Sequence, residues 1–357
     1  MQWSLNQIIE FLCRMIATPS LSRNEGAVAD LVEECLRSSG IETHRHHNNI
    51  WALCRNYSPQ RPTLMLNSHL DTVRPSDAWS RDPYTPTREQ GRIYGLGSND
   101  AGASAVALLA TFCRYYEEVL PFNLLLALSA EEEVTGERGM RALVAELERE
   151  GIKVDMAIVG EPTQMQAAVA ERGLVVLDCT AHGRSGHAAR NEGENALYKA
   201  LNDIERLRNL RFERTSEVLG EIKISVTQIE AGYQHNIIPD KCHFVVDIRT
   251  TDAYTNEQTV ELIRSAIESE ASPRSTRIHA SVIADSHPLM RAAKALGCSS
   301  FVSPTTSDRT VMPFPALKMG VGDSARSHTA DEYVLESELQ QGVEQYAALI
   351  EKLRETI

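Results

Sequence analysis

The chain lacks any apolar run long enough to cross a membrane, which takes about 20 mostly apolar residues, so no membrane association is expected. It has no C-x-x-C pair, and its seven cysteines are an odd number, which argues against a disulfide framework. Reduced, mostly buried thiols of a cytoplasmic protein are expected instead. Basic residues are in deficit: 36 Lys and Arg face 49 Asp and Glu, a net charge of -13. That disfavours nucleic acid or an anionic lipid surface as the main partner, while leaving room for a local basic pocket. No internal repeat and no low-complexity tract is present. The N-terminal stretch is periodic rather than uniformly apolar, with Leu5, Ile8, Ile9, Leu12 and Ile16 on one helical face behind Ser4 as N-cap. It predicts a helix, not a signal peptide.

What is present is enough for two domains: 357 residues, 42% of them apolar. Over the first 170 residues, helical patterns alternate with the short apolar runs "TLMLNSH", "FNLLLALSA" and "DMAIVG". Such runs predict strands buried on both faces of a central, mostly parallel sheet, hence an α/β fold. After about residue 170 the pattern becomes strand–helix–strand–strand–helix–strand, with half-polar strands such as "EIKISVTQI" and a closing strand in "RIHASVI". That is a compact α+β insertion. "HPLMRAAKALG" and the C-terminal helix return to the first style.

One stretch poses a problem. "LLLALSAEEEVTGERG" ends a buried strand in Glu131, Glu132 and Glu133. Adjacent carboxylates repel, and burying them unpaired is costly. Alone, this is as well explained by a solvated loop. Ligands of open α/β sheets gather beyond the carboxyl ends of the strands, and the other ends there carry donors too. "TLMLNSHLD" ends in His69 and Asp71, "MAIVGEPT" in Glu161, "GLGSNDAG" places Asp100 before a helix, and "SARSHTADEY" offers His328. Each has an ordinary reading: a packed histidine, a turn acid, a helix N-cap. Together they form a donor set suited to two divalent metals. "GLGSNDAG" is a poor dinucleotide loop, because Asp100 stands where the third glycine belongs and would face a pyrophosphate.

Five segments together resemble the di-zinc aminoacylase and carboxypeptidase family that includes acetylornithine deacetylase and succinyl-diaminopimelate desuccinylase. They are "SHLDTV", "GLGSND", "EEEVTG", "VGEPT" and "HTADEYV". The resemblance implies a zinc-peptidase-like catalytic domain of residues 1–170 and 282–357, with an inserted lid and dimerisation domain at 171–281. It implies two Zn2+ per chain, with Co2+ able to substitute: His69 and Glu161 on one, Glu133 and His328 on the other, Asp100 bridging. Asp71 then orients His69 through its second ring nitrogen, Glu132 is the general base, and Glu131 is structural. In the insertion, "GRSGHAARNEGENA" places His187 as oxyanion donor, contributed across a homodimer in relatives. Asn236 of "HNIIPD" and Arg249 of "VDIRTTD" become substrate contacts.

Two departures from the family pattern stand out. Ala101-Gly102-Ala103 replaces the frequent x-K-G after the bridging aspartate, and Arg190-Asn191 stands where Pro often follows the lid His-Ala pair. The resulting expectation is a deacylase of small N-acyl amino acids, first of all N-acetylornithine, in arginine biosynthesis. An N-succinyl amino acid desuccinylase or a dipeptidase is the alternative, and a non-catalytic binder of amino acid derivatives ranks below both. A succinyl group needs a cation for its far carboxylate. Arg184, Arg190, Arg309, Lys318 and Arg326 are the candidates.

Overall fold

The computed structural model describes residues 2–190 and 192–357; Met1 and Asn191 lie outside the described residues. It divides into two compact units, one of Met1–Val169, Ile283–Phe301 and Ser307–Ile357, the other of Ala170–Val282 and Val302–Thr306. The short segment 302–306 therefore groups with the second unit, where the sequence reading left it with the first.

The first unit is built on a sheet ordered His44–His46, Asn49–Leu53, Asn123–Ser129, Thr63–His69, Met156–Val159, Ala316–Lys318 and Ala167–Glu171. Its middle four strands run parallel, and the flanking pairings are antiparallel. Every residue of Thr63–His69 and of Asn123–Ser129 is buried, which explains why these runs show no polar alternation. Helix Leu5–Ile16 begins with a capping box: Gln7 N donates to Ser4 Oγ at 3.4 Å, and Ser4 N donates to Gln7 Oε1 at 2.9 Å. Helix Ala103–Tyr115 is buried on nearly all sides and packs against the C-terminal helix Glu336–Thr356. Its Tyr115 hydroxyl donates to Glu351 Oε1 at 2.8 Å.

Parallel register aligns the strand ends. His69 stands opposite Ser129, and Asn67 opposite Val159, so His69, Glu131–Glu133 and Glu161 emerge at one edge of the sheet. Gly320 allows the chain after Ala316–Lys318 to run beside Glu161. A Cβ there would lie 2.4 Å from Ser104 Oγ and 2.5 Å from the Glu161 carbonyl oxygen, a distance only glycine permits. A small sheet of Thr87–Glu89, Arg92–Tyr94 and Tyr333–Leu335 pairs Tyr333 with Tyr94, drawing the two remaining donor loops together.

The second unit holds a four-stranded antiparallel sheet ordered Lys223–Ala231, Lys241–Thr250, Gly173–His182, Glu270–Pro273. Helices Ala196–Asn209 and Asn256–Ala266 pack on it. Burial alternates strictly along Gly173 to Ala181, as expected of a half-exposed sheet. The fourth strand is Glu270–Pro273, not "RIHASVI", which contributes only the two-residue strand Ser281–Val282. The apolar run misleads there because Ile278 is taken up by an isolated bridge to Leu174 instead of a ladder.

None of the seven cysteines is in a disulfide; Cys54, Cys113, Cys179 and Cys242 are buried and the other three partly so. Among the described residues, no helix is long and apolar enough to cross a membrane.

Candidate metal centre

His69, the last residue of its strand, is buried. Its Nδ1–H donates to the backbone carbonyl of Asp71 at 2.8 Å, which turns Nε2 towards the neighbouring carboxylates. The contact to the Asp71 carboxylate is longer, at 3.6 Å. The expected orienting bond thus exists, but it is made by the Asp71 main chain. Two residues after the strand end, the backbone has turned so that this carbonyl faces the ring.

The Asp71 carboxylate serves the glutamates. Glu131 is left-handed, with φ of 56°, which turns consecutive N–H groups towards one side. Glu131 N donates to Glu25 Oε1 at 3.2 Å, Glu132 N to Asp71 Oδ1 at 3.0 Å, and Glu133 N to Asp71 Oδ2 at 3.2 Å. Ser22 Oγ holds Asp71 Oδ2 from the far side at 2.7 Å. The side chain of Glu131 points away and accepts from Arg138 N at 3.4 Å. Those of Glu132 and Glu133 join His69.

Asp100 lies in the wide turn Ser98–Gly102 that opens helix Ala103–Tyr115. Its two oxygens face different histidines: Oδ1 is 3.3 Å from His69 Nε2, and Oδ2 is 3.6 Å from His328 Nε2. Glu161 Oε1 is 3.8 Å from His69 Nε2, while Glu133 Oε2 is 3.0 Å from His328 Nε2. Ligand atoms of three trios each lie within 4.8 Å of one another: His69, Glu132 and Glu133; His69, Asp100 and Glu161; and Asp100, Glu133 and His328. Two imidazole nitrogens and a carboxylate whose oxygens point opposite ways, each towards a further carboxylate, fit a pair of divalent cations. The five residues drawn from five separate segments are brought together.

The residues expected in the insertion are found in the second unit. His187 is exposed in the short strand Gly186–His187, and its Nδ1 accepts from Ala189 N at 3.1 Å. Asn236 accepts at its backbone oxygen from Ala188 N at 3.0 Å, and its side-chain oxygen is buried with no partner among the described residues. Arg249 is engaged with Asp247, two residues earlier on its own strand, at 2.8 and 3.2 Å.

Three acids beyond the predicted set support the centre. Glu25 anchors the glutamate turn. Buried Asp308 accepts from Ser129 Oγ at 2.5 Å. Glu332 accepts the N–H groups of Gly97, Asn99 and Asp100. Sequence reasoning missed them because an acid whose partner lies far along the chain has no spacing signature; the nearness of Glu332 to His328 was the one available hint.

With protein groups alone, this crowding displaces the titrations. Burial pushes Glu161 up to about 8, Asp308 to about 6 and Glu332 to about 7. Glu132 is held well above the usual carboxylate range, chiefly by burial and then by Glu161. Burial alone would lower the His69 ring, but Asp100 and Glu161 hold it well above its ordinary value. The hydrogen bond to Glu133 lifts His328 to about 9. Each raised group binds its proton more tightly folded than unfolded, so its contribution is full below the unfolded value and is lost as pH rises through the folded one. After exhaustive chelation, the thermal midpoint should therefore fall as pH rises from about 5 to about 9. Added divalent metal should remove most of that slope. Differential scanning calorimetry across this range checks both; a midpoint that rises with pH in the chelated protein refutes the assignment.

A model of the peptidase family M20/M25/M40 matches residues 65–352. A succinyl-diaminopimelate desuccinylase of Paracoccus denitrificans is 28% identical over 269 residues, 72% of this chain and 70% of that protein. One from Xylella fastidiosa is 23% identical over 98% of this chain and 99% of its own. Among solved structures, the aminopeptidase PepT of Bacillus cereus superposes with a TM-score of 0.77 at 18% identity, covering 98% of this chain and 99% of that one. The YXEP protein of Bacillus subtilis, described as a dinuclear metal binding peptidase, gives 0.73 at 15% identity over 99% of both chains. These two likenesses carry the mixed α/β fold with its mostly parallel sheet. With four-fifths of its length matched, and with a donor set fit for a metal pair, this chain belongs to the peptidase family M20/M25/M40 and is a metal-dependent hydrolase of amide bonds.

Proposed function

We propose that this chain is a di-zinc amidohydrolase that removes the succinyl group from an N-succinyl amino acid. The observation that carries the di-metal part is Asp100, whose two oxygens are directed one to His69 and one to His328. We assign His69 and Glu161 to one metal, Glu133 and His328 to the other, and Asp100 to both. When bound, such metals lower the pKa of water towards about 7 and polarise the scissile carbonyl. Glu132, fixed through its backbone by Asp71, takes the water proton and delivers it to the leaving amine. His187 donates to the developing oxyanion, and Asn236 and Arg249 contact the substrate; these three rest on the family resemblance.

The succinyl reading is favoured over N-acetylornithine by the curated relatives, which carry the desuccinylase name. It requires a cation for the far carboxylate. Arg326 is committed to Glu338 through two hydrogen bonds of 2.7 and 2.8 Å, and buried Arg309 donates to the Ala168 and Val169 carbonyls. Lys318 is buried and lowers Glu161. Arg184 and Arg190 are exposed, and we assign them the carboxylate. A charge-assisted bond is worth roughly 1.5–3 kcal/mol, so kcat/KM should favour N-succinyl over N-acetyl derivatives by about 10- to 100-fold. Steady-state assays on succinyl and acetyl ornithine, citrulline, lysine and diaminopimelate measure this. Faster acetyl turnover restores the deacetylase reading, and binding without turnover indicates a non-catalytic relative.

Glu132→Gln should lower kcat by about 10²- to 10⁴-fold while elemental analysis still finds both metals. Loss of metal instead would exchange the roles of Glu132 and Glu133.

We also propose a homodimer through the second unit. Its strand Lys223–Ala231 is an outer strand of its sheet among the described residues, with Ile229 exposed, and helix Ala196–Asn209 exposes Tyr198 and Leu201. If His187 acts across that interface, co-expressed His187→Ala and Glu132→Gln chains should recover roughly a quarter of wild-type activity, since half of randomly mixed dimers carry one intact site. Mixed dimers without recovered activity place His187 within its own subunit.

A further inference from the structure

Asp100 can serve two metals only if its carboxylate is held between the two histidines, yet it sits on a loop rather than in a helix or strand. Two side chains fasten that loop to the segment around His328: Asn99, which bonds Asp323 and Ser327, and Glu332, which grips the loop's backbone. Glu332 Oε1 accepts from both Asn99 N and Asp100 N at 2.8 Å, Glu332 Oε2 accepts from Gly97 N at 3.0 Å, and its backbone oxygen accepts from Gly95 N at 3.0 Å. The loop runs close to its neighbours: Gly97 is left-handed at φ of 73°, and a Cβ there would lie 2.6 Å from Thr72 Cγ2. Glu332 lies four residues after His328, just before the strand that pairs Tyr333 with Tyr94. The Glu332 side chain therefore ties the segment carrying His328 directly to the backbone N–H of Asp100.

The chemistry favours a carboxylate at this position despite its location. Glu332 is buried beside Asp100, where a second negative charge is unfavourable. A residue there for packing alone would be apolar. Only a carboxylate presents two acceptor oxygens and no donor, so only it can satisfy three converging N–H groups. Glutamine could serve Asn99 and Asp100 through its one oxygen but would set its NH2 against the Gly97 N–H.

We propose that Glu332 is a positioning residue of the metal centre: by accepting the N–H groups of Gly97, Asn99 and Asp100, it fixes the Asp100 carboxylate between His69 and His328. This rests on the di-metal reading. Partners of metal ligands typically cost 10- to 100-fold in metal affinity when lost. Zinc retention by the full-length protein, titrated against a chromogenic chelator, should weaken by about that factor in Glu332→Gln. It should weaken at least as much in Glu332→Ala. In Glu332→Gln, kcat should fall while KM stays near wild type, since no substrate contact is removed. Tyr115→Phe, which removes a buried hydrogen bond elsewhere in the same unit, is the control: it should lower the melting temperature and leave zinc retention unchanged.

A Glu332→Gln protein that melts lower but holds zinc within twofold of wild type overturns the inference and leaves the di-metal reading standing. A wild-type chain that holds no zinc overturns that reading and the inference with it. Should Glu332→Ala fail to fold, the isosteric glutamine variant decides.

Discussion

Four carboxylates, Asp100, Glu132, Glu133 and Glu161, converge on two histidines at one edge of a buried sheet. Left to themselves they repel one another and resist burial, and the raised titrations of Glu132 and Glu161 express that conflict. The surrounding structure has to hold the carboxylates together against it. A pair of divalent cations would turn the same geometry from a liability into a binding site, since each supplies the charge that the carboxylates lack.

The scaffold meets this demand with backbone groups. Parallel register sets His69 opposite Ser129 and Asn67 opposite Val159, so the donors beyond them emerge at one edge of the sheet. In the loops that follow, buried acids accept backbone N–H groups. Glu25 and Asp71 take the three N–H groups of Glu131–Glu133, and Glu332 takes those around Asp100. Each acid adds negative charge near a centre already rich in it. Each is nonetheless paired with fixed N–H dipoles, the condition under which a buried carboxylate is tolerable. The centre is thus organised in two layers: side chains that face one another, and acids behind them that grip the backbone on which those side chains stand.

The same layering explains the difference at Asp71. A carboxylate two residues after a metal-binding histidine suggests a side-chain bond to the ring. In the folded chain the ring is held by the Asp71 carbonyl, while both carboxylate oxygens are spent on the glutamate turn and Ser22. One residue therefore couples two donor segments, His69 through its main chain and Glu132 and Glu133 through its side chain.

The sequence by itself determined three central strands, Thr63–His69, Asn123–Ser129 and Met156–Val159, because fully buried parallel strands must be continuous apolar runs, and these are local features. It also determined which residues could be donors, because each followed such a run or stood at a helix start in a pattern resembling a known family. The closing strand of the second unit was not legible: "RIHASVI" has the composition of a strand, but pairing depends on which edge is free, and Glu270–Pro273 occupies it. Nor were the roles of Glu25, Asp308 and Glu332, which are set by contacts across more than 100 residues of chain in the cases of Glu25 with Glu131, Asp308 with Ser129, and Glu332 with Asp100. Hydrogen bonds across such distances leave no mark on residue spacing. Only the tertiary structure could decide them, because only folding brings a donor, whether a loop N–H or the Ser129 hydroxyl, within reach of a distant carboxylate.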